Sequence, residues 1–267
     1  MHRLWRRLAL CGLLAFLPLA AGGCAARSED TQQVTTRTDA GTSTSIPAGE
    51  VAARKNALLR FAHAVPGLAA ADLFANDNKA FEGAAYKTVT AYREMPSASQ
   101  TFRLRLSGQD SAEPLAEDGE ALGTGRHHTV VAFPASGSGL FSKEKTVELR
   151  FIADEFESPA AGRAKVRVIN ASPDLEEIDL YAAGRAEPLV KGAKFGAATA
   201  YAEADPAGAG LEVRRAGENI TTLALPGVKL EAGGLYTVFI VGGTKGTSKL
   251  DSFVVEDRLT PASGARP

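Results

Sequence analysis

The chain has 267 residues, of which 45% are hydrophobic and 23% are charged. These proportions are typical of folded proteins and exclude a chain that is disordered throughout. The formal net charge is −1, so the composition provides no strongly basic surface of the kind that binds nucleic acid.

Residues 1–23 predict a secretory signal peptide. Arg3, Arg6 and Arg7 form a basic start, and residues 8–21 form an apolar run that is too short to span a bilayer after processing. The run ends in Ala21-Gly-Gly-Cys24, which resembles the lipobox of bacterial lipoproteins. The resemblance implies cleavage before Cys24 and attachment of acyl chains such as palmitate to it. A plain secreted protein cut near Ala21 is the alternative.

Cysteine usage favours the lipid anchor. Cys11 and Cys24 are the only cysteines, and Cys11 lies inside the signal peptide, so the exported chain cannot form an internal disulfide. Several acyl chains anchor a protein stably, because each buried methylene contributes about 0.8 kcal/mol. Ala25 and Ala26 follow, where Asp would retain a Gram-negative lipoprotein in the inner membrane. We therefore expect an exported protein on the outer membrane or the cell surface.

Residues 24–54 predict a disordered tether that begins with the lipidated cysteine. The segment is rich in Thr, Ser and small residues, and it cannot bury enough apolar surface to offset chain entropy. Removal of residues 1–23 takes away three arginines and leaves 27 basic against 31 acidic residues, a net charge of −4. We expect a spacer here and no binding site.

Two stretches of similar sequence open two similar modules. Residues 58–74 align with residues 165–181 at an offset of 107, and later matches continue at offsets of 108 and 109. Such agreement indicates an internal duplication. The matched pairs include His63 with Asn170, Pro66 with Pro173, Asp72 with Asp179, Gly83 with Gly192, Tyr92 with Tyr201, and Thr129 with Thr237.

Within each module the apolar residues recur with a period of two, which predicts β-strands. Val166 and Val168 alternate with Lys165 and Arg167, as in a strand with one buried face. Residues 236–241 are apolar on both faces apart from one Thr and predict a central, covered strand. Short strands separated by turn residues over about 100 residues predict an all-β fold: antiparallel, Ig-like β-sandwiches of Greek-key type.

The segment from Leu230 to Tyr236 has the Leu…Gly…Tyr spacing of the tyrosine corner in such sandwiches. In that corner the Tyr hydroxyl bonds to the backbone across a turn. The first module has His128 where the second has Tyr236. We expect the substitution His128→Tyr to preserve or raise the stability of the first module.

Three elements of the second module resemble a known bacterial family. They are Lys165-Val-Arg-Val-Ile-Asn-Ala-Ser-Pro-Asp174, Ile178-Asp-Leu-Tyr181 and Leu230-Glu-Ala-Gly-Gly-Leu-Tyr-Thr-Val238, and the family is called domain of unknown function 4397 (DUF4397). The resemblance implies an exported, lipid-anchored, tandem β-sandwich and carries over no catalytic residue. We expect a divergent first module at 55–156, a linker at 157–162, a second module at 163–258 and a tail at 259–267.

The histidines are the first candidates for chemistry. His63, His127 and His128 could be arranged around a metal, but no His-x-x-x-His spacing is present. His63 stands where the second module has Asn170, and His128 where it has Tyr236, so we expect structural roles. Whether the linker lets the modules pack together or hinge is open at this point.

Other motifs are incomplete. Asn76-Asp77-Asn78 predicts a hairpin turn and not a calcium loop, residues 242–246 lack the phosphate-loop layout, and Ser138 lacks the glycine needed for a nucleophile elbow. Glu176-Glu177 has no acidic counterpart in the first module.

Asp72 and Asp179 recur in both modules. They could be shared ligands, but the preferred hypothesis is that they accept hydrogen bonds from loop backbone N–H groups. We therefore expect no catalytic residue, cofactor or metal, and Cys24 as the one modified site.

The sequence thus predicts a lipid-anchored cell-envelope protein with two non-catalytic modules for binding or structural display. An envelope polysaccharide, peptidoglycan or a protein would be its partner, and duplication suits binding because two linked weak sites reinforce one another. A hydrolase of envelope polymers that uses His63, His127 or loop acids is one alternative. An assembly partner of a periplasmic complex is another.

Overall fold

The computed structural model describes residues 55–135, 146–206, 208, 210–243 and 248–257. The predicted signal peptide, Cys24, the tether, residue 258 at the predicted end of the second module and the tail at 259–267 therefore lie outside the described residues. Within the described ranges the secondary structure is β-strand, and these ranges contain no helix long and apolar enough to cross a membrane.

The first module contains eight strands among its described residues. They are β1 (Ala57–His63), β2 (Ala71–Ala75), β3 (Asn78–Ala84), β4 (Arg93–Met95), β5 (Ser99–Leu106), β6 (Ala116–Ala121), β7 (His127–Pro134) and β8 (Val147–Asp154). They form two sheets with the orders β3-β2-β5-β6 and β4-β1-β7-β8, which we call the outer and inner sheets. A core that includes Leu59, Leu73 and Phe102 fills the space between them.

The second module repeats this plan. Its strands are β9 (Ala164–Asn170), β10 (Glu177–Ala182), β11 (Pro188–Lys194), β12 (Ala202–Ala204), β13 (Leu211–Arg215), β14 (Thr221–Leu225), β15 (Leu235–Val241) and β16 (Asp251–Glu256). The outer sheet has the order β11-β10-β13-β14 and the inner sheet the order β12-β9-β15-β16. The prediction of two tandem β-sandwiches is confirmed.

The inner sheets are mixed, which corrects the expectation of purely antiparallel sandwiches. β1 pairs with β7 in parallel, and β9 pairs with β15 in parallel. A parallel pair cannot be closed by a hairpin and needs a long connection. Here the strands between each pair supply that connection, because the chain crosses between the two sheets of its module before it returns.

The inner sheets are covered on both faces. Along β7, Val130 faces the core of its own module, while Val131 and Phe133 join a third apolar cluster. That cluster also contains Ile169 and Phe239 of the second module, so the two inner sheets pack against each other. The prediction of a covered strand at 236–241 is confirmed. The expectation that Arg167 lies on a solvated strand face is wrong, because the first module covers that face and the residue is 2% exposed.

The segment that joins the modules, Phe156 together with the linker at 157–162, contacts both of them. Phe156 packs edge-on against His127 at 5.4 Å between ring centroids and lies 6.1 Å from Tyr201. Glu157 forms an ion pair with Lys165 at 3.2 Å. The modules therefore pack together, with Phe156 bridging them and the linker docked on the second module.

Candidate functional site at the junction of the modules

A buried network of hydrogen-bonded polar side chains lies on the inner sheet of each module, and the two networks contain the same four residue types. In the first module Arg60 Nε donates to Thr129 Oγ1 at 2.8 Å, and Thr129 donates to Asp154 Oδ2 at 2.6 Å. The Tyr92 hydroxyl donates to the same carboxylate oxygen at 2.7 Å. Four side chains from four positions of the module thus form one hydrogen-bonded unit.

The second module repeats the unit with Arg167, Thr237, Asp257 and Tyr201, at distances of 2.8, 2.6 and 2.7 Å. Each arginine also packs over the tyrosine ring of its own unit, with Cζ to centroid distances of 4.8 Å in the first module and 4.7 Å in the second. The duplication has therefore preserved a complete polar arrangement.

The arginines exchange partners across the junction. Arg60 lies 2.7 Å from Asp257, and Arg167 lies 2.5 Å from Asp154. Because each module gives its guanidinium to the other and receives one in return, the contact has the reciprocal form of a two-fold interface. We call these eight residues the polar centre.

The charged groups of the polar centre stabilise one another's ionised forms. Burial opposes ionisation of Asp154, but the nearby guanidinium groups of Arg167 and Arg60 outweigh it and hold its pKa below the usual value. Burial raises the pKa of the Tyr92 hydroxyl well above its usual value, and the charge of Asp154 raises it further. The phenol therefore stays protonated and donates its hydrogen to the carboxylate.

At the other end of the inner sheets, His63 shapes the turn that follows β1. Its Nδ1 accepts the backbone N–H of Val65 at 3.3 Å, and its Nε2 contacts the carbonyl oxygen of Ala69 at 3.2 Å. These partners require the proton on Nε2. Burial lowers the pKa of His63, which favours the neutral ring.

Asn170 shapes the turn that follows β9 in the same way, through hydrogen bonds to backbone groups. Its Oδ1 accepts the N–H of Ser172 at 3.1 Å, and its Nδ2 donates to the carbonyl oxygens of Leu175 and Ala193 at 2.7 and 3.1 Å. The predicted structural role of His63 is confirmed, because a neutral histidine supplies the same acceptor and donor as an asparagine.

The two turns shaped in this way line one cavity of about 420 Å³ between the modules. The lining from the first module is Val65, Pro66, Gly67, Leu68, Pro134, Thr146 and Val147, and that from the second is Pro173, Asp174, Gly242, Gly243 and Ser248. Pro66 and Pro173 are matched positions of the duplication. We call this space the junction cavity.

The junction cavity lies at the end of the body opposite to both ends of the described chain. Lys55 precedes the start of β1, and the N–H of Asp257 bonds to the carbonyl of Leu235 at the start of β15. The cavity turns follow the ends of β1 and β9. A seven-residue strand is about 20 Å long, so the cavity is displaced by about that length from the entry of the chain.

His127 and His128 are not part of the junction cavity. His127 packs edge-on against Tyr92 at 5.4 Å. The Nε2 of His128 is buried without a hydrogen-bond partner, and burial lowers the pKa of this ring. No group of three His, Cys, Asp or Glu side chains in the described ranges is placed to hold a metal ion.

The two repeated aspartates bind backbone, as predicted. Asp72 Oδ1 accepts the N–H of Gly83 at 2.7 Å, and Asp179 Oδ1 accepts the N–H of Gly192 at 2.8 Å. Both glycines adopt positive φ, +65° and +69°, on the neighbouring strand next to a register shift. The carboxylates therefore hold a bulged backbone that glycine accommodates without strain.

The remaining candidates fall into three groups. Asn76 has a φ of +53° and forms the predicted turn between β2 and β3. Glu176 is exposed beside the start of β10 and does not line the junction cavity. Ser138 and most of the 242–246 segment lie outside the described residues.

The tyrosine corner of the second module is confirmed. The Tyr236 hydroxyl accepts the backbone N–H of Glu231 at 3.1 Å. A β-carbon on Gly234 would lie 2.5 Å from both the ring and the hydroxyl, so the corner needs glycine there. The first module has Arg126 at the matching position, which explains why His128, a shorter side chain, occupies the place of the tyrosine.

The sequence did not point to the polar centre. Its two arginines, Arg60 and Arg167, alternate with apolar residues along β1 and β9, as solvated residues of a half-buried strand do. One signal was available in the sequence: Tyr92, Thr129 and their counterparts recur in both modules. Because polar residues exposed to solvent are under no packing constraint to recur, this repetition indicates that they are buried.

A protein-family model described as Domain of unknown function (DUF4397) matches the chain twice, over residues 57–181 and 164–266. No curated protein matches the chain in sequence. Among solved structures, that of a proposed cell adhesion protein from Bacteroides fragilis NCTC 9343 is 12% identical, covering 72% of this chain and 79% of that chain, with a TM-score of 0.17. A likeness at this level supports no assignment of function.

Proposed function

The chain belongs to the DUF4397 family, and on that premise we propose that it is a non-catalytic binding protein of the bacterial cell envelope. In this proposal Cys24 carries the lipid anchor, residues 25–54 form the tether, and the two modules act as one binding body on the outer membrane or cell surface. The ligand is a component of the envelope, either a polymer or a protein.

One observation carries the proposal: the matched turns after β1 and β9 line the same cavity. Duplication has therefore brought two copies of one loop together at a single place. Sites for ligands are commonly concave, largely apolar and supplied with a few polar groups. The junction cavity is lined by the apolar Pro66 and Pro173 and by two polar residues, Asp174 and Ser248.

Because both modules line the junction cavity, we expect duplication to create one shared site and not two separate ones. Two separate weak sites would each bind alone and gain from being linked. A cavity with walls from both modules exists only when the modules are packed together. We therefore expect binding to depend on the intact junction.

The side chains considered for catalysis have other partners. His63 is 0% exposed, with both ring nitrogens directed at backbone groups. Asp72 and Asp179 hold backbone N–H groups. These contacts support binding over hydrolysis, because a general base must reach a proton of the substrate.

The position of the junction cavity also suits display. The tether would enter at Lys55, and the cavity opens at the opposite end of the inner sheets. The cavity therefore lies away from the point at which the tether joins the first module, so the tether leaves it accessible to polymers and proteins of the envelope.

The test uses the mature chain made soluble by Cys24→Ser. Isolated peptidoglycan, envelope polysaccharide and solubilised envelope proteins are each immobilised, and retention of the protein and release of products are measured together. We expect retention on one of these materials with no product. Asp174→Gly, which installs the residue of the first module, should weaken retention by about tenfold or more, because contacts to a charged group contribute about 1.5–3 kcal/mol.

Asp77→Gly is the matched control, since Asp77 has a fully exposed side chain on the turn between β2 and β3, outside the junction cavity. It should bind as the parent does. Product release that disappears on changing His63 or His127 to Ala would replace the binding proposal with the hydrolase alternative. Retention unaffected by Asp174→Gly would remove the junction cavity from the account.

A further inference from the structure

The two turns that line the junction cavity are held by side chains of different chemistry. In the first module the His63 ring bonds to both ends of the turn, because Nδ1 accepts the N–H of Val65 at 3.3 Å and Nε2 donates to the carbonyl oxygen of Ala69 at 3.2 Å. The residues from 65 to 68 all line the cavity. One imidazole therefore holds the whole of this turn against the cavity.

The matched turn of the second module is held by an amide. Asn170 accepts the N–H of Ser172 at 3.1 Å and donates to the carbonyl oxygen of Leu175 at 2.7 Å. Between these two positions, Pro173 and Asp174 line the cavity. An amide takes up no proton in the pH range in which an imidazole does, so the two turns respond differently to acid.

We propose that His63 is an acid-sensitive switch of the junction cavity, in which a proton on its ring opens the first-module turn and weakens binding. This inference deepens the proposed function by adding a regulation of the same site, and it rests on that function for the effect on binding. A proton on Nδ1 occupies the lone pair that accepts the N–H of Val65 and sets two N–H groups against each other. The turn of the second module stays closed, because Asn170 keeps its acceptor.

The surroundings of the His63 ring cannot accommodate its charged form. The ring is 0% exposed and packs near the rings of Phe61 and Tyr86, at 6.5 and 6.1 Å between centroids. A buried charge without a partner is costly, so the charged ring favours an arrangement in which the turn moves aside and water reaches Nδ1. Burial holds the pKa of His63 below its usual value of about 6.5. The turn is therefore closed at neutral pH and opens in acid.

The ionisable groups around His63 keep their charge states in this pH range. Burial raises the pKa of Tyr86 to about 12, so it remains a neutral phenol, and the register of β7 places the apolar Ala132 beside His63. Lys87, whose N–H donates to the His63 carbonyl oxygen at 2.9 Å, forms an ion pair with Asp251. Burial opposes ionisation of Asp251, but hydrogen bonds that include one from Lys87 hold its pKa below the usual value. Protonation of the imidazole is therefore the event that acts on the turn.

Nuclear magnetic resonance of the mature chain carrying Cys24→Ser tests the switch without any ligand. The His63 ring is titrated through its Cε1 proton, and hydrogen exchange of the Val65 and Ser172 amides is measured at about pH 7 and about pH 5. We expect the protection factor of the Val65 amide to fall by about fivefold or more as the ring takes up its proton, because a hydrogen bond that contributes about 1 kcal/mol is lost. Protection of the Ser172 amide should not change.

The sister module supplies the matched variants. His63→Asn installs the amide of the second module and should remove the acid-dependent loss of protection at Val65. Asn170→His should transfer that loss to Ser172. A ring that takes up its proton while Val65 stays protected, or one that stays neutral down to about pH 5, would overturn the proposal.

Retention on immobilised peptidoglycan, envelope polysaccharide and envelope proteins, compared at about pH 7 and about pH 5, tests the effect on binding. We expect retention of the parent to fall by about fivefold or more in acid, and the ratio between the two pH values to be close to one for His63→Asn. An equal loss in both proteins would overturn the proposal. If no material retains the parent at neutral pH, the proposed function fails, and the exchange of the Val65 amide still decides whether the switch exists.

Discussion

Arg60 in β1 and Asp257 just after β16 form an ion pair of 2.7 Å in which the side chains are 3% and 0% exposed. They stand near opposite ends of the described chain, and each belongs to a different module. The carboxylate also accepts hydrogen bonds from Thr237 and Tyr201. A buried charge with this many partners stabilises one relative arrangement of the two modules. If any partner moved away, the remaining buried groups would lose a hydrogen bond or an ion pair.

We expect Arg60→Met to lower the free energy of unfolding by about 3–5 kcal/mol, because it leaves the Asp257 carboxylate buried without its cation. Arg60→Lys should not restore the loss, since Arg60 contacts Thr129 through Nε and Asp257 through Nη2 at the same time and an ammonium offers no such fork. Urea unfolding followed by circular dichroism measures both variants.

Arg103→Met is the control for this prediction. Arg103 forms a 2.8 Å ion pair with Glu117 on the outer sheet, where the two side chains are 26% and 43% exposed. Its loss should cost less than about 1 kcal/mol. Equal costs for the buried and the exposed pair would show that the polar centre adds nothing beyond a surface contact.

The corner of the first module gives a prediction that differs from the one based on sequence. His128→Tyr alone should lower the melting temperature, because the tyrosine ring would pass through the β-carbon of Arg126 as it would at Gly234. Arg126→Gly combined with His128→Tyr should recover stability and add the corner hydrogen bond, a net contribution of about 1 kcal/mol. A single variant more stable than the parent would contradict the steric argument.

The pH dependence of stability should contain a contribution from His63. Its pKa in the folded protein is lowered by burial, whereas the unfolded value is about 6.5. The unfolded chain therefore binds more protons as the pH falls below about 6.5, and the contribution of the neutral ring is lost between that pH and the folded pKa. His63→Asn should make the free energy of unfolding fall less between pH 7 and pH 5, by roughly the contribution of this one group.

Asn170→His is the reciprocal variant of that experiment. It should introduce an acid-sensitive loss of stability into the second module and also cost stability at neutral pH, because histidine replaces only one of the two Nδ2 hydrogen bonds. Identical pH profiles for His63→Asn and the parent would show that His63 does not titrate in this range.

The anchor prediction depends on one residue. Cys24→Ser should abolish incorporation of a fatty-acid analogue and leave no mature membrane-bound form, because the acyl chains supply the membrane affinity. Cys11→Ser, within the signal peptide, is the matched control and should be labelled as the parent is. A Cys24→Ser variant that still sediments with membranes to the same extent would refute the lipoprotein interpretation.

The strands were predictable because their burial pattern repeats every two residues. Val166 and Val168 face the core of the second module, as the alternation with Lys165 and Arg167 indicates. The tyrosine corner at Tyr236 was predictable because its spacing is fixed by the geometry of one turn. Both patterns are local in sequence, and their partners lie within a few residues.

The covering of Arg167 was not predictable in the same way. A strand with one polar face has the same sequence pattern whether water or another polar surface covers that face. The decisive contact, with Asp154, reaches into the other module and depends on where the two inner sheets meet. The junction cavity was not predictable for the same reason, since the turns at Pro66 and Pro173 come together only when the two inner sheets pack.

Calorimetry of the soluble mature chain tests most directly whether the two modules are one body. We expect a single unfolding transition in which the calorimetric and van't Hoff enthalpies agree, because neither module can unfold without exposing the inner sheet of the other. Arg60→Met combined with Arg167→Met should split it into two transitions. Two independent transitions in the unaltered protein would show that the modules unfold separately and do not form one body.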